Sequence, residues 1–315
     1  LIIVRPAPLP VTLRQLQYLV AVVDQHTFRK AAELCGVSQP ALSAQIATLE
    51  EALDVQLLER DRRSVRLTPA GKLVLERARR LLVGAEDLVD VARHLSDPLS
   101  GEVRIGIIPT ISPYVLPEIV PALRRQAPRL TLYWVEERTD TLVRKIEGGE
   151  LDAAFLALEA RLGELQQEVL ARDPFVLAMS PTHPLAARSA PVRLDELGGL
   201  DLLLLDDGHC LREQALAACK RSEAHELDFR ATSLTTLVQM VAAGTGITLL
   251  PRLALPVETR HTRLALRRFS PPVPERTLGL VWRKGSPATP ALRLIASTIR
   301  AALAKAEPRL EKALP

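Results

Sequence analysis

The chain has 315 residues, 47% hydrophobic and 25% charged, which predicts two or three domains of ordinary globular composition. A formal net charge of +4 permits a nucleic-acid partner without requiring one. No apolar run approaches the roughly 20 residues of a membrane span, LIIV at the start is too short for a secretory core, and three cysteines are no disulfide framework, so the expectation is a cytoplasmic protein without a membrane partner.

From Thr12, TLRQLQYLVAVVDQ places Leu13, Leu16, Leu19, Val20 and Val23 on one helical face, with Thr12 as N-cap. Thr27 caps a second helix, FRKAAELC, which Gly36 ends. Ser38 caps a third, QPALSAQIATLEEAL, with Pro40 in its first turn, where proline is tolerated. Two short helices joined by a glycine-containing turn predict a helix-turn-helix. Ser38, Gln39, Ser43 and Gln45 then offer hydrogen-bonding side chains on the half of the third helix that enters a major groove. Thr27, Arg29, Lys30, Arg62 and Arg63 are placed to hold phosphates, which gives affinity but little specificity. Singly, each of these is also an ordinary solvated side chain; the assembly carries the inference.

After Asp54, VQLLERDRRSVRLTPAGK flanks a basic tip (Arg60, Arg62, Arg63, Arg66) with short apolar alternation, as in a two-stranded wing. Thr68-Pro69 opens a long helix to about His94. Val74, Leu81, Leu88 and Leu95 recur every seven residues, with Ala78, Ala85 and Ala92 between them. Such a seam predicts pairing with another chain; packing on its own domain is the alternative. DPLSG at 97–101 is a linker.

An α/β rhythm follows. Strands are expected at GEVRIGI, LTLYWVEE, LDAAFLAL, FVLAMS, DLLLLDD, DFRAT, ITLLP and LGLVWRK, with helices between and an amphipathic helix at PALRLIASTIRAALAKAE. The alternation predicts mostly parallel sheets. Crossings near 174–180 and 270–278 divide the region into two lobes around a cleft. His183 and His225 lack partners at metal-ligand spacing, and Gly244 and Gly246 read as a helix-to-strand turn, so neither a metal nor a cofactor is expected.

FRKAAELCGVSQPALSAQIATLEEALDVQLLERDRRSVRLTPAG resembles the N-terminal signature of LysR-type transcription regulators, and the likeness runs from about Thr12 to Ala304. Ala47 and Thr48 stand where related regulators often carry basic residues. The resemblance implies an α/β chain with an all-α winged helix-turn-helix N-terminal domain (1–67) and a long dimerisation helix (68–97). A two-lobe, periplasmic-binding-protein-like regulatory domain (102–315) completes it, with lobe I at about 102–173 and 279–308 and lobe II at about 174–278. It also implies double-stranded operator DNA as partner, a homodimer or homotetramer, contact with RNA polymerase, and regulation rather than catalysis.

LLLLDDGHCLREQALAAC, FRATSLTTLVQMVAAGTGITLLP, GIIPT and PERTLGLVWRKGSP are similar to the peroxide-sensing OxyR branch of that family. By that resemblance Cys210 is the thiol that meets hydrogen peroxide, and Cys219 closes a disulfide with it. Thr110, Thr139, His209 and Arg276 match polar residues of the peroxide pocket, as does Glu213, which stands where a shorter acid is common.

Chemistry supports part of this. A thiolate, not a thiol, attacks peroxide, and a helix N-terminus, a neighbouring arginine such as Arg212 or a polarised histidine would stabilise it. If 210–219 is helical, nine residues rise about 13.5 Å and the two thiols face opposite sides. A disulfide needs Cα atoms about 4.4–6.8 Å apart, so closing it would unwind the helix. Cys219 in ALAACK could equally be a small core residue, which leaves a one-cysteine sulfenic-acid sensor open. A regulator that binds a metabolite in the interlobe cleft, with incidental cysteines, also stays open. A thiol peroxidase would have no use for the DNA-reading end.

Overall fold

A computed structural model of the chain describes residues 9–60, 65–94, 97–188, 190–219 and 225–312. The chain forms two compact units, Leu1–Ala92 and Arg93–Pro315.

In the first unit, α1 (Leu13–Gln25) starts at a Thr12–Gln15 capping box. The next helix, α2 (Phe28–Leu34), is capped by Thr27, and Gly36 follows it at φ +65°. Ser38 caps α3 (Gln39–Leu53), with Pro40 in the first turn. Strands β1 (Leu58–Arg60) and β2 (Val65–Leu67) pair antiparallel as a wing; Arg62 and Arg63 lie outside the described residues. Leu19, Val22, Ala31, Leu42, Ile46, Leu49 and Leu57 form the core. Glu50 fixes the wing to α3 by accepting the amides of Leu57 and Leu58 at 2.7 and 3.1 Å.

The long helix α4 (Pro69–His94) follows, its first turn tied down by the Thr68 hydroxyl, which accepts the Gly71 amide at 2.9 Å. The heptad seam is divided between two uses. Val74 and Ala78 pack on the winged core, whereas Leu81 and Leu88 stay 59% and 73% exposed. Leu95 is outside the described residues.

The second unit opens with β3 (Gly101–Ile107), α5 (Ser112–Gln126), β4 (Leu130–Glu136), α6 (Thr139–Glu147) and β5 (Ala153–Ala157). Strand β6 (Gln166–Met179) then crosses to a second core built by β7 (Asp201–Leu205), α7 (Cys210–Cys219), β8 (His225–Ala231), α8 (Leu234–Ala242), β9 (Thr248–Pro251), α9 (Leu255–Glu258) and β10 (Ala265–Arg267). Strand β11 (Glu275–Trp282) returns to the first core, which α10 (Thr289–Lys312) covers.

Among the described strands of this unit, β3–β4, β3–β5 and β7–β8 pair parallel, whereas β6–β11, β5–β11, β6–β9 and β6–β10 are antiparallel. The expected mostly parallel sheet is therefore wrong, because the two crossing strands run side by side in opposite directions. Strand β6 also starts eight residues before the expected 174, and β10 was missed; it is three residues long, too short for a visible alternation.

A methyl group added at Gly71 would lie 2.1 Å from the Leu57 carbonyl oxygen, a backbone atom. Gly71→Ala should therefore destabilise the first unit by about 1–3 kcal/mol, the usual cost of overpacking, read as a lower denaturant midpoint.

Candidate functional site: a polar cavity around Cys210

Three segments converge on Cys210. After β3 the chain runs through Ile108 and Pro109 to Thr110. After β4 it reaches Arg138 and then Thr139, the first residue of α6. After β7 it turns through Asp206, Asp207 and Gly208 into His209 and α7. Gly208 needs its glycine, with φ at +84° and a would-be Cβ 3.1 Å from the Arg138 guanidinium. Arg138 clasps this turn, donating to the Asp207 carbonyl at 2.9 Å and pairing with Asp206 at 3.4 Å. Residues 108–110, Arg138, Thr139 and 208–210 enclose a cavity of about 10 Å³, at the threshold for one water-sized molecule.

Behind Thr110 lies Arg276, fully buried on β11. Its Nη1 donates to Thr110 Oγ1 at 2.9 Å and its Nη2 to the Thr110 carbonyl at 3.0 Å. Its Nε and Nη2 meet Asp173 Oδ2 at 3.0 and 2.9 Å. Asp173 is its register partner on β6, 3% exposed, and its Oδ1 accepts the Leu253 amide at 2.9 Å.

Cys210 is half-buried at the start of α7. Burial pushes its thiol up from the ordinary range, and the Arg276 charge, the Thr139 hydroxyl and the Leu211 amide pull it back. The Thr139 oxygen is buried with no oxygen or nitrogen partner, and its hydroxyl favours the Cys210 thiolate. The sequence led us to expect a thiol stabilised as the anion; desolvation outweighs that help. Arg212 is turned away, pairing with Asp207 and Glu226 at 2.9 and 2.7 Å. Glu213 is not part of the cavity either. It is exposed one turn along α7, on the wall of a larger cleft of about 650 Å³ that Cys210 also lines, together with Glu159, Phe175, Gln214 and 272–275.

Cys219 ends α7 and is buried in the second core, so the helix holds the two sulfurs at opposite ends and no disulfide joins them. Cys35 caps the C-terminus of α2. Among the described residues no cluster of side chains could hold a metal ion, and no helix is long and apolar enough to cross a membrane.

Four contributors were missed in the sequence: Arg138, Asp173, Glu159 and Gln214. Asp173 stands one residue before the expected crossing strand, so no signal placed it there. Gln214 and Glu159 had none either; they meet at 3.2 Å across 55 residues.

At the other end of the chain, Ser38, Gln39, Pro40 and Gln45 are exposed on the first half of α3, with Ser43 half-buried. Lys30 is exposed, the Thr27 hydroxyl accepts the Lys30 amide at 3.3 Å, and Arg29 pairs with Glu33 at 3.1 Å in an exposed contact.

His209 carries a pH consequence. Burial first, then the Arg138 charge, hold it below its ordinary value near 6.5, with Asp206 opposing. The folded chain keeps this imidazole neutral where the unfolded chain would protonate it. Its contribution to stability is full above the unfolded value and is lost as pH falls from there toward the folded value. Acidification from about pH 7 to about pH 5.5 should lower the denaturant midpoint more in the parent than in His209→Gln, since the variant lacks this one titrating group. Equal losses would contradict a buried neutral histidine.

A model of the bacterial regulatory helix-turn-helix protein, lysR family, matches residues 13–72, and one of the LysR substrate binding domain matches residues 96–304. The DNA-binding transcriptional dual regulator OxyR of Escherichia coli is 44% identical over 290 residues, 92% of this chain and 95% of that protein. A full-length OxyR from Pseudomonas aeruginosa with a cysteine-to-aspartate substitution superposes with a TM-score of 0.74 at 36% identity, over 92% of this chain and 95% of that one. A hydrogen-peroxide-bound cysteine-to-serine mutant of Corynebacterium glutamicum OxyR gives 0.65 at 35% identity, over 96% and 98%. With both family models matched in order and nearly the whole length shared, the chain belongs to the LysR family of bacterial regulators, within its OxyR group.

Proposed function

We propose that this chain is a cytoplasmic DNA-binding transcription regulator that responds to hydrogen peroxide, with Cys210 as the reacting thiol and Cys219 as its disulfide partner. One observation carries the reading. The two cysteines end the same helix, and of the two only Cys210 lines a cavity of near-water size beside Thr110 and Thr139. The OxyR relatives, one of them bound to hydrogen peroxide, support it.

The chemistry runs in two steps. The Cys210 thiolate attacks one peroxide oxygen, the O–O bond breaks, and the departing hydroxide takes a proton and leaves as water. Cys210 is then a sulfenic acid. Thr110 and Thr139 offer hydroxyls to orient the peroxide, and Arg276 stabilises the thiolate. In the second step the Cys219 thiolate attacks the Cys210 sulfur, the S–O bond breaks, and a second protonated hydroxide leaves. Two thiols and one peroxide become one disulfide and two waters.

The ten-residue helix is about 13.5 Å long between those sulfur-bearing residues, so the disulfide and an intact α7 exclude each other. Oxidation would thus force the segment into a second arrangement, a covalent bias on a two-state element. Operator DNA would be read by Ser38, Gln39, Ser43 and Gln45, with Pro40 shaping that turn. Thr27, Arg29, Lys30, Arg62 and Arg63 would hold phosphates. Leu81 and Leu88 leave α4 an apolar stripe for a second copy, in a dimer or tetramer, and RNA polymerase would be the downstream partner. The 650 Å³ cleft favours one competing reading, a metabolite effector. A metabolite-driven response would survive Cys210→Ser.

Peptide mapping after a brief stoichiometric peroxide pulse, with thiols blocked at once, should show a linked Cys210–Cys219 peptide lighter by two hydrogens. Cys219→Ser should stop at an oxygen added to Cys210, and Cys210→Ser should abolish the response. Two fully alkylated cysteines in the parent would refute the peroxide reading.

Lys30→Ala should weaken binding to all DNA sequences alike and reduce the slope of log affinity against log salt by about 1, as loss of one phosphate contact does. A change confined to one operator would place Lys30 at a base instead.

A further inference from the structure

We propose that Asp173 is a positioning residue for the sensing chemistry. Its carboxylate fixes the Arg276 guanidinium against Thr110 and offsets part of the charge that Arg276 presents to Cys210, which sets how much peroxide the sensor needs. The proposal rests on Cys210 being the reacting thiol.

The geometry divides the work of this carboxylate between its two oxygens. Oδ2 takes Nε and Nη2 of Arg276 at 3.0 and 2.9 Å; Oδ1 takes the Leu253 amide at 2.9 Å. Arg276 spends its remaining reach on Thr110, through the hydroxyl at 2.9 Å and the carbonyl at 3.0 Å. Asp173 and Thr110 thus hold the same guanidinium from two sides, and Thr110 lines the small cavity beside Cys210. Asp173 itself does not line that cavity. It acts through Arg276.

Charge follows geometry here. Arg276 and Asp173 are both out of water, so little solvent screens one from the other. The other charged groups near the thiol are fewer than the sequence suggests. Glu159 opposes ionisation of Cys210, while Arg138 and Asp206 act on His209. Arg252 lies near Asp173 but is occupied by Glu307 and Glu311, each at 2.7 Å. The net positive charge that Arg276 can lend to a Cys210 thiolate is therefore the part Asp173 leaves uncancelled. A carboxylate serving only to pin two strands would leave the thiol's ionisation untouched.

The test is the pH profile of iodoacetamide labelling at Cys210 in the full chain, resolved by peptide mapping, alongside the peroxide dose for half-oxidation. Asp173→Asn keeps the shape and an oxygen for Arg276 but removes the charge. Its labelling midpoint should move to lower pH, with roughly threefold or more thiolate at a fixed pH below the midpoint and a correspondingly lower peroxide dose, as expected for an uncancelled neighbouring cation. Arg276→Gln should move the midpoint up, and adding Asp173→Asn to it should leave the midpoint there, because Asp173 acts through Arg276. Asp173→Glu, which keeps the charge, should restore the parent profile.

A folded Asp173→Asn whose profile overlies the parent's would overturn the proposal. Should Asp173→Asn not fold, Asp173→Ser, which also removes the charge, decides, and a profile overlying the parent's there overturns it equally; a further shift on adding either to Arg276→Gln overturns the route through Arg276. A failure of the sensor reading looks different. Parent Cys210 would then resist stoichiometric peroxide even though the labelling profiles shift, and the proposal would fall with that reading.

Discussion

A guanidinium with no solvent exposure persists only if its charge and its N–H groups are met inside the protein. Arg276 is such a group, and its partners explain much of the regulatory unit. Asp173 meets the charge from the neighbouring crossing strand, so β6 and β11 are pinned at the point where the chain passes between its two cores. Thr110 meets the remaining donors, so the end of β3 is fixed beside α7. Leu253, in the turn after β9, reaches the same carboxylate through its amide. Breaking one side of a buried pair of this kind costs roughly 3–5 kcal/mol, far more than any exposed ion pair on this surface is worth.

Helix α7 stands at the opposite extreme. Its buried face is Leu211, Ala215 and Cys219, little apolar area for ten residues. It is tied to the first core by Arg138 at the turn before it and by Gln214 on Glu159, both exposed contacts of small worth. Alanine and leucine favour the helix locally, but by tenths of a kcal/mol each. An element so lightly held belongs to the part of a structure that opens first. In the proposed switch, a covalent bond that cannot be made while the helix stands would therefore remake it.

Local signals in the sequence were read well because they are local. Thr12, Thr27 and Ser38 cap their helices as expected, since each pattern needs only the next three residues. The spacing of Cys210 and Cys219 carried its consequence because helix geometry fixes it. Strand direction did not follow from alternation, because β6 and β11 pair over about a hundred residues and either direction suits the same apolar pattern. For a related reason the sequence leaves open which way Arg212 turns and gives Glu213 only by resemblance, since their directions depend on Asp207, Glu226 and the wide cleft. Asp173, Arg138 and Glu159 act across distances that no single sequence reveals.

The environment of Cys210 places two demands on one sulfur. Burial lowers the fraction of thiolate, which keeps the thiol quiet at rest, and the narrow cavity admits only a very small molecule on the Thr110 side. A thiol held high, however, is the more nucleophilic once ionised, because nucleophilicity falls as the thiol's acidity rises. Arg276, Thr139 and the Leu211 amide recover part of the ionisation without exposing the sulfur. In the proposed sensor the anion is therefore scarce and strongly nucleophilic. Peroxide is attacked at a weak O–O bond, so selectivity would come from reactivity rather than from a thiol that is always ionised.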